Sequence, residues 1–382
     1  MRRFLGIAAL LLGVAALVFV GLAPGIAERG MNKVVPVATP ASPRAVALAR
    51  GFVDLHADTL LWKRDLTKRA GRGQVDLPRL AQGDVALQVF SSVTQVPKGQ
   101  NYDSNPGDTD VLPWLVAAQG QPLRTWFSPY QRSLWHAEKL RRVAAADPRL
   151  RIVRTPGDLD ALRSGTVGAM LSVEGLQDIE GSLAKLDALH TAGFRMAGLT
   201  HFFDNDVAGS MHGERKGGLT PFGLTVVRRM EALGMIVDVA HASHAAVADV
   251  IRLARRPVVS SHGGVQATCR VNRNLTDTEV RGIAGTGGVV GIGYWDAAVC
   301  GTSPARIAAA IAHVRDVAGI GHVALGSDFD GAVTTGFDTT RLAGIVQALL
   351  DRGFSDAEVE AVIHGNALRV IRAGIAPQPG AR

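Results

Sequence analysis

Phe52-Val53-Asp54-Leu55-His56-Ala57-Asp58 is the stretch on which the fold turns. Residues 52–56 form a short, largely apolar strand candidate that runs directly into a histidine and a carboxylate. Near-continuous apolarity is how a strand covered on both faces of a parallel sheet reads. Side chains two apart point the same way from extended backbone, so His56 and Asp58 share one side, facing the interior.

The same kind of segment recurs at 85–90, 168–173, 195–199, 236–240, 257–261, 288–293 and 322–327. Between these lie amphipathic helices. Val226, Val227, Met230 and Leu233 keep helical spacing, as do Val247, Val250, Ile251 and Ala254. Ser303-Pro304 opens a helix carrying Ile307, Ile311 and Val314, which Gly319 ends. Ser355-Asp356-Ala357-Glu358 is a capping box. Alternating strand and helix means α/β, and eight strands favour a closed (β/α)8 TIM barrel. The alternative, a doubly wound open sheet, lacks a G-x-G-x-x-G after an early strand. Residues 94–150 break the pattern as an inserted, mainly helical segment after strand 2. It holds Tyr102, Trp114, Trp126, Tyr130 and Trp135, five of the chain's eight Trp and Tyr residues. It reads either as a cover over one barrel end or as an extra surface helix pair.

Strand ends deliver the chemistry. His56 and Asp58 come from the first, Glu174 from the third and His201 from the fourth, through Leu199-Thr200. His241, His262 and Asp328 end the fifth, sixth and eighth. Each alone has a dull explanation: a hydrogen-bonded structural histidine, or a helix cap. Together they match the C-terminal face where such barrels assemble active sites from different strands. His56 and Asp58 can grip one divalent ion and His241 and His262 a second, with Glu174 between them able to bridge. Nitrogen and oxygen donors of this kind suit Zn²⁺, with Mn²⁺, Co²⁺ or Fe²⁺ as alternatives. Two ions roughly 3.5–4 Å apart can share a hydroxide and so supply a nucleophile at neutral pH.

The 382 residues are 47% hydrophobic and 20% charged, which excludes disordered and fibrous classes. The net charge of +7 is scattered, and no nucleic-acid motif accompanies it, so no nucleic-acid partner is expected. Arg2 and Arg3 precede an uncharged run from residue 4 to 27, the form of an export signal. Its length equally suits an uncleaved anchor with the remainder outside the cytoplasm. Gly25-Ile26-Ala27 offers a weak cleavage site. The expected organisation is a signal peptide or membrane anchor at 1–30, a linker at 31–47, the barrel at 48–376 and a tail at 377–382. The protein is then exported: periplasmic, membrane-anchored or secreted. Cys269 and Cys300, the only cysteines, read equally as a disulfide or as two buried thiols.

With these residues in place the sequence resembles the renal-type membrane dipeptidase family of zinc peptidases, within the amidohydrolase-like barrels. The matching segments are Asp54-Leu55-His56-Ala57-Asp58-Thr59, Ser172-Val173-Glu174-Gly175, Gly198-Leu199-Thr200-His201 and Gly218-Leu219-Thr220-Pro221-Phe222-Gly223. Val237 to Ser243, Ser260-Ser261-His262, Arg273-Asn274 and Gly326-Ser327-Asp328-Phe329-Asp330-Gly331 continue the series in family order. The resemblance implies a binuclear zinc dipeptidase with two Zn²⁺ per chain, acting through a metal-bridging hydroxide. It implies His56, Asp58, Glu174, His241 and His262 as ligands, with Glu174 bridging. It implies His201 as the residue that contacts substrate and polarises the scissile carbonyl, and Arg273 as the partner of the dipeptide's free carboxylate. Asp328 becomes the proton shuttle to the leaving amine, and Cys269–Cys300 a disulfide. Two departures stand out: Gly175-Leu176-Gln177 where vertebrate members have Gly-Gly-His, and residues 202–210, which look like a bacterial variant.

Two rivals share the barrel. One is another amidohydrolase-type hydrolase, such as an N-acyl or D-amino-acid amide hydrolase, for which Arg273 is the discriminating residue. The other is an inactive metal-binding surface protein. Family members are often dimeric, so a homodimer is compatible, as is N-terminal membrane association, although the sequence carries no interface signature.

Overall fold

The computed structural model describes residues 2–377. Its barrel strands are β1 (Phe52–Ala57), β2 (Val85–Val93), β3 (Val167–Glu174), β4 (Phe194–Gly198), β5 (Ile236–Asp238), β6 (Val259–Ser260), β7 (Val289–Ile292) and β8 (Val323–Leu325). Neighbours pair in parallel around a ring. β2 joins β3 across the insertion from Leu87↔Gly168 to Val93↔Glu174, and β8 returns to β1 at Leu325↔Asp54. The sheet is a closed eight-stranded barrel, not an open one.

Inside it, one or two apolar side chains per strand meet: Val53, Leu55, Leu87, Val89, Met170, Met196, Ile236, Val259, Val289 and Ala324. The helix Asn366–Ile375 plugs the N-terminal end with Ala367, Val370, Ile371 and Ile375. Asn366 Nδ2 donates to the Val323 carbonyl at the foot of β8. The opposite end is thereby left for polar residues.

The expected helices form with the expected caps. Ser303 accepts from Arg306 N at the start of Pro304–Ala318, and the Ser355/Glu358 capping box opens Asp356–Glu360. β5 and β6 stop short of the expected 240 and 261. The Asp238 carboxylate takes the N–H groups of Ala240 and Ser261 and so replaces the ladder there.

The insertion forms helices Leu112–Ala118, Arg124–Phe127 and Pro129–Ala146, followed by a short strand, Leu150–Ile152, that pairs with the start of β3. The long helix is bolted to the barrel. Ser92 Oγ meets His136 Nδ1 at 2.7 Å, Ser133 Oγ donates to Asp178 Oδ2 at 2.6 Å, and buried Arg132 donates to the Thr94 carbonyl.

The N-terminal segment is helical over Arg2–Met31. Among the described residues no helix is long and apolar enough to cross a membrane, and many side chains of residues 2–17 lie outside that description, as does Met1. Residues expected to be a linker are ordered: Lys33–Val34 pairs with Thr334–Thr335, and Pro43–Leu48 is a helix. Residues 378–382 of the expected tail lie outside the described residues.

Candidate metal centre and active site

Strand ends bring His56, Asp58, Glu174, His201, His241, His262 and Asp328 to the barrel mouth, all buried. Glu174 closes β3 and stands at the centre. Its Oε1 lies 3.1 Å from His241 Nε2, 3.3 Å from His262 Nε2 and 3.5 Å from His56 Nε2, and its Oε2 lies 3.6 Å from His201 Nε2. His56 Nε2 is 3.4 Å from Asp58 Oδ1. His241 and His262 turn their Nε2 atoms toward each other at 2.9 Å. Donor atoms close into three groups within 4.8 Å: His56/Asp58/Glu174, Glu174/His201/His241 and His56/His262/Asp328. His201 and Asp328 thus share the convergence with the five expected ligands.

Local backbone is bent to achieve this. His241 and Asp328 adopt left-handed φ of 64° and 60°, which non-glycine residues enter at a cost and keep where function over-determines the position. Gly331 is required for a different reason: a Cβ there would lie 2.2 Å from Asp328 Oδ1 and 2.7 Å from Asp58 Oδ2.

Two aspartates brace the strand ends. Asp54 accepts from Ser327 N at 2.8 Å and Ser327 Oγ at 2.6 Å, fixing the residue before Asp328. Asp238 accepts from Ser261 N at 2.9 Å and Ser261 Oγ at 2.6 Å, fixing the residue before His262. Ser261 Oγ also lies 2.8 Å from His262 Nδ1. A hydroxyl that donates to a carboxylate can only accept from the ring, so Nδ1 carries the proton and Nε2 presents a lone pair.

The electrostatics call for a cation. Asp58, Glu174 and Asp328 form no ion pair with Lys or Arg among the described residues; the ion pairs of Asp58 and Glu174 there are with histidines. Burial, followed by the Asp58 charge, raises Glu174 well above the carboxylate range and brings Asp328 to about 8. Burial alone would lower His56, but the Asp58 and Glu174 charges reverse it and raise it to about 10. Burial pushes His241 and His262 well below the usual range, helped by Arg273 and, for His262, first by His56. Both rings are therefore neutral, as metal ligation requires. Both His56 ring nitrogens, Asp58 Oδ1 and His241 Nδ1 are buried without hydrogen-bond partners. Buried polar atoms are ordinarily satisfied, so this donor set fits a metal.

A cavity of about 530 Å³ opens onto Asp58, Glu174, His201, His241, Arg273 and Asp328. Arg273 donates to the His262 carbonyl at 3.1 Å, stacks over Trp295 at 4.7 Å and leaves its buried Nε unpartnered. A disulfide joins Cys269 to Cys300, tying the loop of Arg273 to the segment after Trp295.

Sequence reasoning gave no role to Trp295 or His212 at the site, and named Tyr102 only as one of the aromatics of the insertion, read as a barrel cover or a surface helix pair. His212 stacks on Phe202 at 4.5 Å, and its Nδ1 meets the Tyr102 carbonyl at 2.9 Å. Tyr102 comes from the insertion, receives Trp295 Nε1 on its Oη at 3.3 Å, and lines the cavity with Val96, Leu112 and Leu115. The insertion therefore walls the mouth. The cluster of aromatics in 94–150 was the available signal.

Residues 43–376 match the family model for membrane dipeptidases, peptidase family M19. The chain is 33% identical over 354 residues to dipeptidase aclJ of Aspergillus oryzae (strain ATCC 42149 / RIB 40), covering 86% of this chain and 80% of that protein. A metallo peptidase from Rhodobacter sphaeroides, solved with a phosphinate mimic of the dipeptide L-Ala-D-Ala, superposes with TM-score 0.71 at 25% identity, over 85% of this chain and 99% of that one. The probable dipeptidase PvdM from Pseudomonas aeruginosa has the same fold, with TM-score 0.74 at 21% identity over 87% and 99%. On these matches, and on the donor set at its barrel mouth, the chain belongs to the membrane dipeptidase family, peptidase family M19, and is a metal-dependent dipeptidase.

Proposed function

We propose that the protein is a two-zinc dipeptidase that recognises the free C-terminal carboxylate of its substrate and acts outside the cytoplasm. His56 and Asp58 would hold one ion, His241 and His262 the other, and Glu174 would bridge. The observation that carries this reading is the placement of Glu174 Oε1 within 3.5 Å of His56, His241 and His262 Nε2. Zinc held there would supply Lewis acidity to polarise a carbonyl and acidify water.

The protein's own groups do the remainder. The Arg273 guanidinium, braced on Trp295, takes the substrate carboxylate in a planar two-point contact. His201, held near 3 by burial and then by His212, is neutral at pH 7 and can offer an N–H to the developing oxyanion. Asp328, at the barrel mouth beside the expected ligands His56 and His262, can carry a proton to the leaving amine. The Rhodobacter relative, bound to a dipeptide mimic with a D-residue, supports including L,D-dipeptides in the substrate range. The export-type run at 4–27 supports the location.

Asp328→Asn tests the division of labour. Turnover should fall at least about a hundredfold, the usual scale of a general acid–base contribution, with two ions still bound. Loss of an ion instead would make Asp328 a ligand, as its grouping with His56 and His262 would permit.

A further inference from the structure

The loop that carries Asp328 is held in an unusual shape. Asp328, Asp330 and Ala332 alternate through left-handed φ of 60°, 63° and 60°. None is glycine, so the conformation persists only if surrounding groups impose it. Barrel residues supply part of that constraint. Gln74 N and Thr59 Oγ1 donate to the Asp330 carboxylate at 2.7 and 2.9 Å, and Trp62 Nε1 donates to the Asp330 carbonyl at 2.6 Å.

The rest comes from the segment just after the uncharged run at 4–27. Asn32 Oδ1 accepts from Ala332 N at 2.8 Å. Lys33 and Val34 pair in parallel with Thr334 and Thr335, and Val35 N and Val37 N donate to the carbonyls of Thr335 and Gly336, both at 2.9 Å. Glu28 is 1% exposed and pairs with Arg64, which itself pairs with Asp330. Arg72 Nε reaches the other Glu28 oxygen at 2.5 Å. Two guanidiniums and two carboxylates thus form a balanced set, buried except for the partly exposed Arg72, and a buried charge that loses its partner is costly.

We propose that residues 28–37 are a strap that positions Asp328, with Glu28 acting through Arg64 and Asp330, and Asn32 acting directly on the loop at Ala332. Glu28 and Asn32 fix the backbone from which the Asp328 carboxylate projects, while Met31 of the same segment lines the cavity. The inference rests on Asp328 being the proton carrier. It also assigns a boundary: cleavage after Ala27 leaves the strap whole, whereas loss of residues through 35 removes it.

The test uses the full chain with Glu28→Gln/Asn32→Ala, and Asn32→Ala alone as the milder variant should the pair fail to fold. Displacing a reacting group by about 1 Å can cost on the order of a hundredfold. The strap variant should therefore lose roughly ten- to a hundredfold in kcat, with KM and metal content as in the parent. In an Asp328→Asn background the same substitutions should leave the residual kcat unchanged, because the positioned group is gone. A parental kcat in the strap variants, or an equal fold loss in both backgrounds, would overturn the strap. Parental turnover in Asp328→Asn alone would instead overturn the role of Asp328 on which the strap rests.

Discussion

Asp238→Asn should weaken zinc binding at the His241–His262 side about 10- to 100-fold, the usual cost of losing the partner of a metal-ligating histidine. The magnitude follows from a proton count. The Asp238 carboxylate accepts Ser261 Oγ at 2.6 Å, together with the N–H groups of Ala240 at 3.0 Å and Ser261 at 2.9 Å. It has no proton to give when ionised, so the Ser261 hydroxyl points at it and accepts from His262 Nδ1 at 2.8 Å. The His262 Nε2 lone pair then faces Glu174 Oε1 and His241 Nε2. In the asparagine variant the amide oxygen can keep both backbone bonds while the amide nitrogen donates to Ser261 Oγ. The relay reverses, the hydroxyl donates to Nδ1, and Nε2 carries a proton exactly where a ligand lone pair is needed. The tautomer penalty of about 1.4–2.8 kcal/mol corresponds to the stated range. Folding should change by less, because the amide relieves the burial that raises the Asp238 carboxyl. Competition between stripped protein and a chromophoric chelator measures the affinity. Asp54→Asn is the control, since Asp54 clasps Ser327 and no histidine ring nitrogen. Equal zinc affinity in Asp238→Asn and the parent would refute the relay.

Arg273→Ala should raise KM for free dipeptides roughly a hundredfold, the worth of a charge-assisted hydrogen-bond pair, while leaving KM for dipeptide amides nearly unchanged. A parallel rise for both would place the carboxylate elsewhere. Thiol titration of oxidised protein should find no free thiol, and Cys269→Ser should lower stability by about 3–4 kcal/mol for a loop of 31 residues. Asp178 is raised by burial to about 7 from an ordinary 3.8. The folded state therefore holds its proton longer, and stability should fall as pH rises between those values. Denaturant titrations across that window should show a shallower fall for Asp178→Asn, and identical slopes would contradict the assignment.

The barrel was legible because its strands are buried on both faces and so are mostly apolar along their length: all eight candidate segments fall on observed strands. The mouth residues were legible only jointly: a single His or carboxylate after such a run has a ready structural explanation, and it is their recurrence at six strand ends that points to one face. What stayed hidden depends on long-range contact. Asp54 and Asp238 sit inside the motifs, yet their grip on Ser327 and Ser261 spans 273 and 23 residues and leaves no periodic trace. Tyr102 lies in a polar Gly/Pro-containing loop whose path over the mouth is set by Asn272 and His212 holding its carbonyl. The strap at 28–37 was obscured by its neighbour: an export-type run invites the reader to set aside what directly follows it. The buried pairing of Glu28 with Arg64 appears only in three dimensions.

Metal stoichiometry coupled to substrate choice tests the central claim most directly. Stripped protein titrated with zinc should regain hydrolysis of L,L- and L,D-dipeptides in step with the second ion bound per chain, and should remain inert toward N-acyl amino acids at the same concentrations. Full dipeptidase activity at one ion per chain, or activity confined to N-acyl substrates, would contradict the two-zinc, carboxylate-recognising dipeptidase.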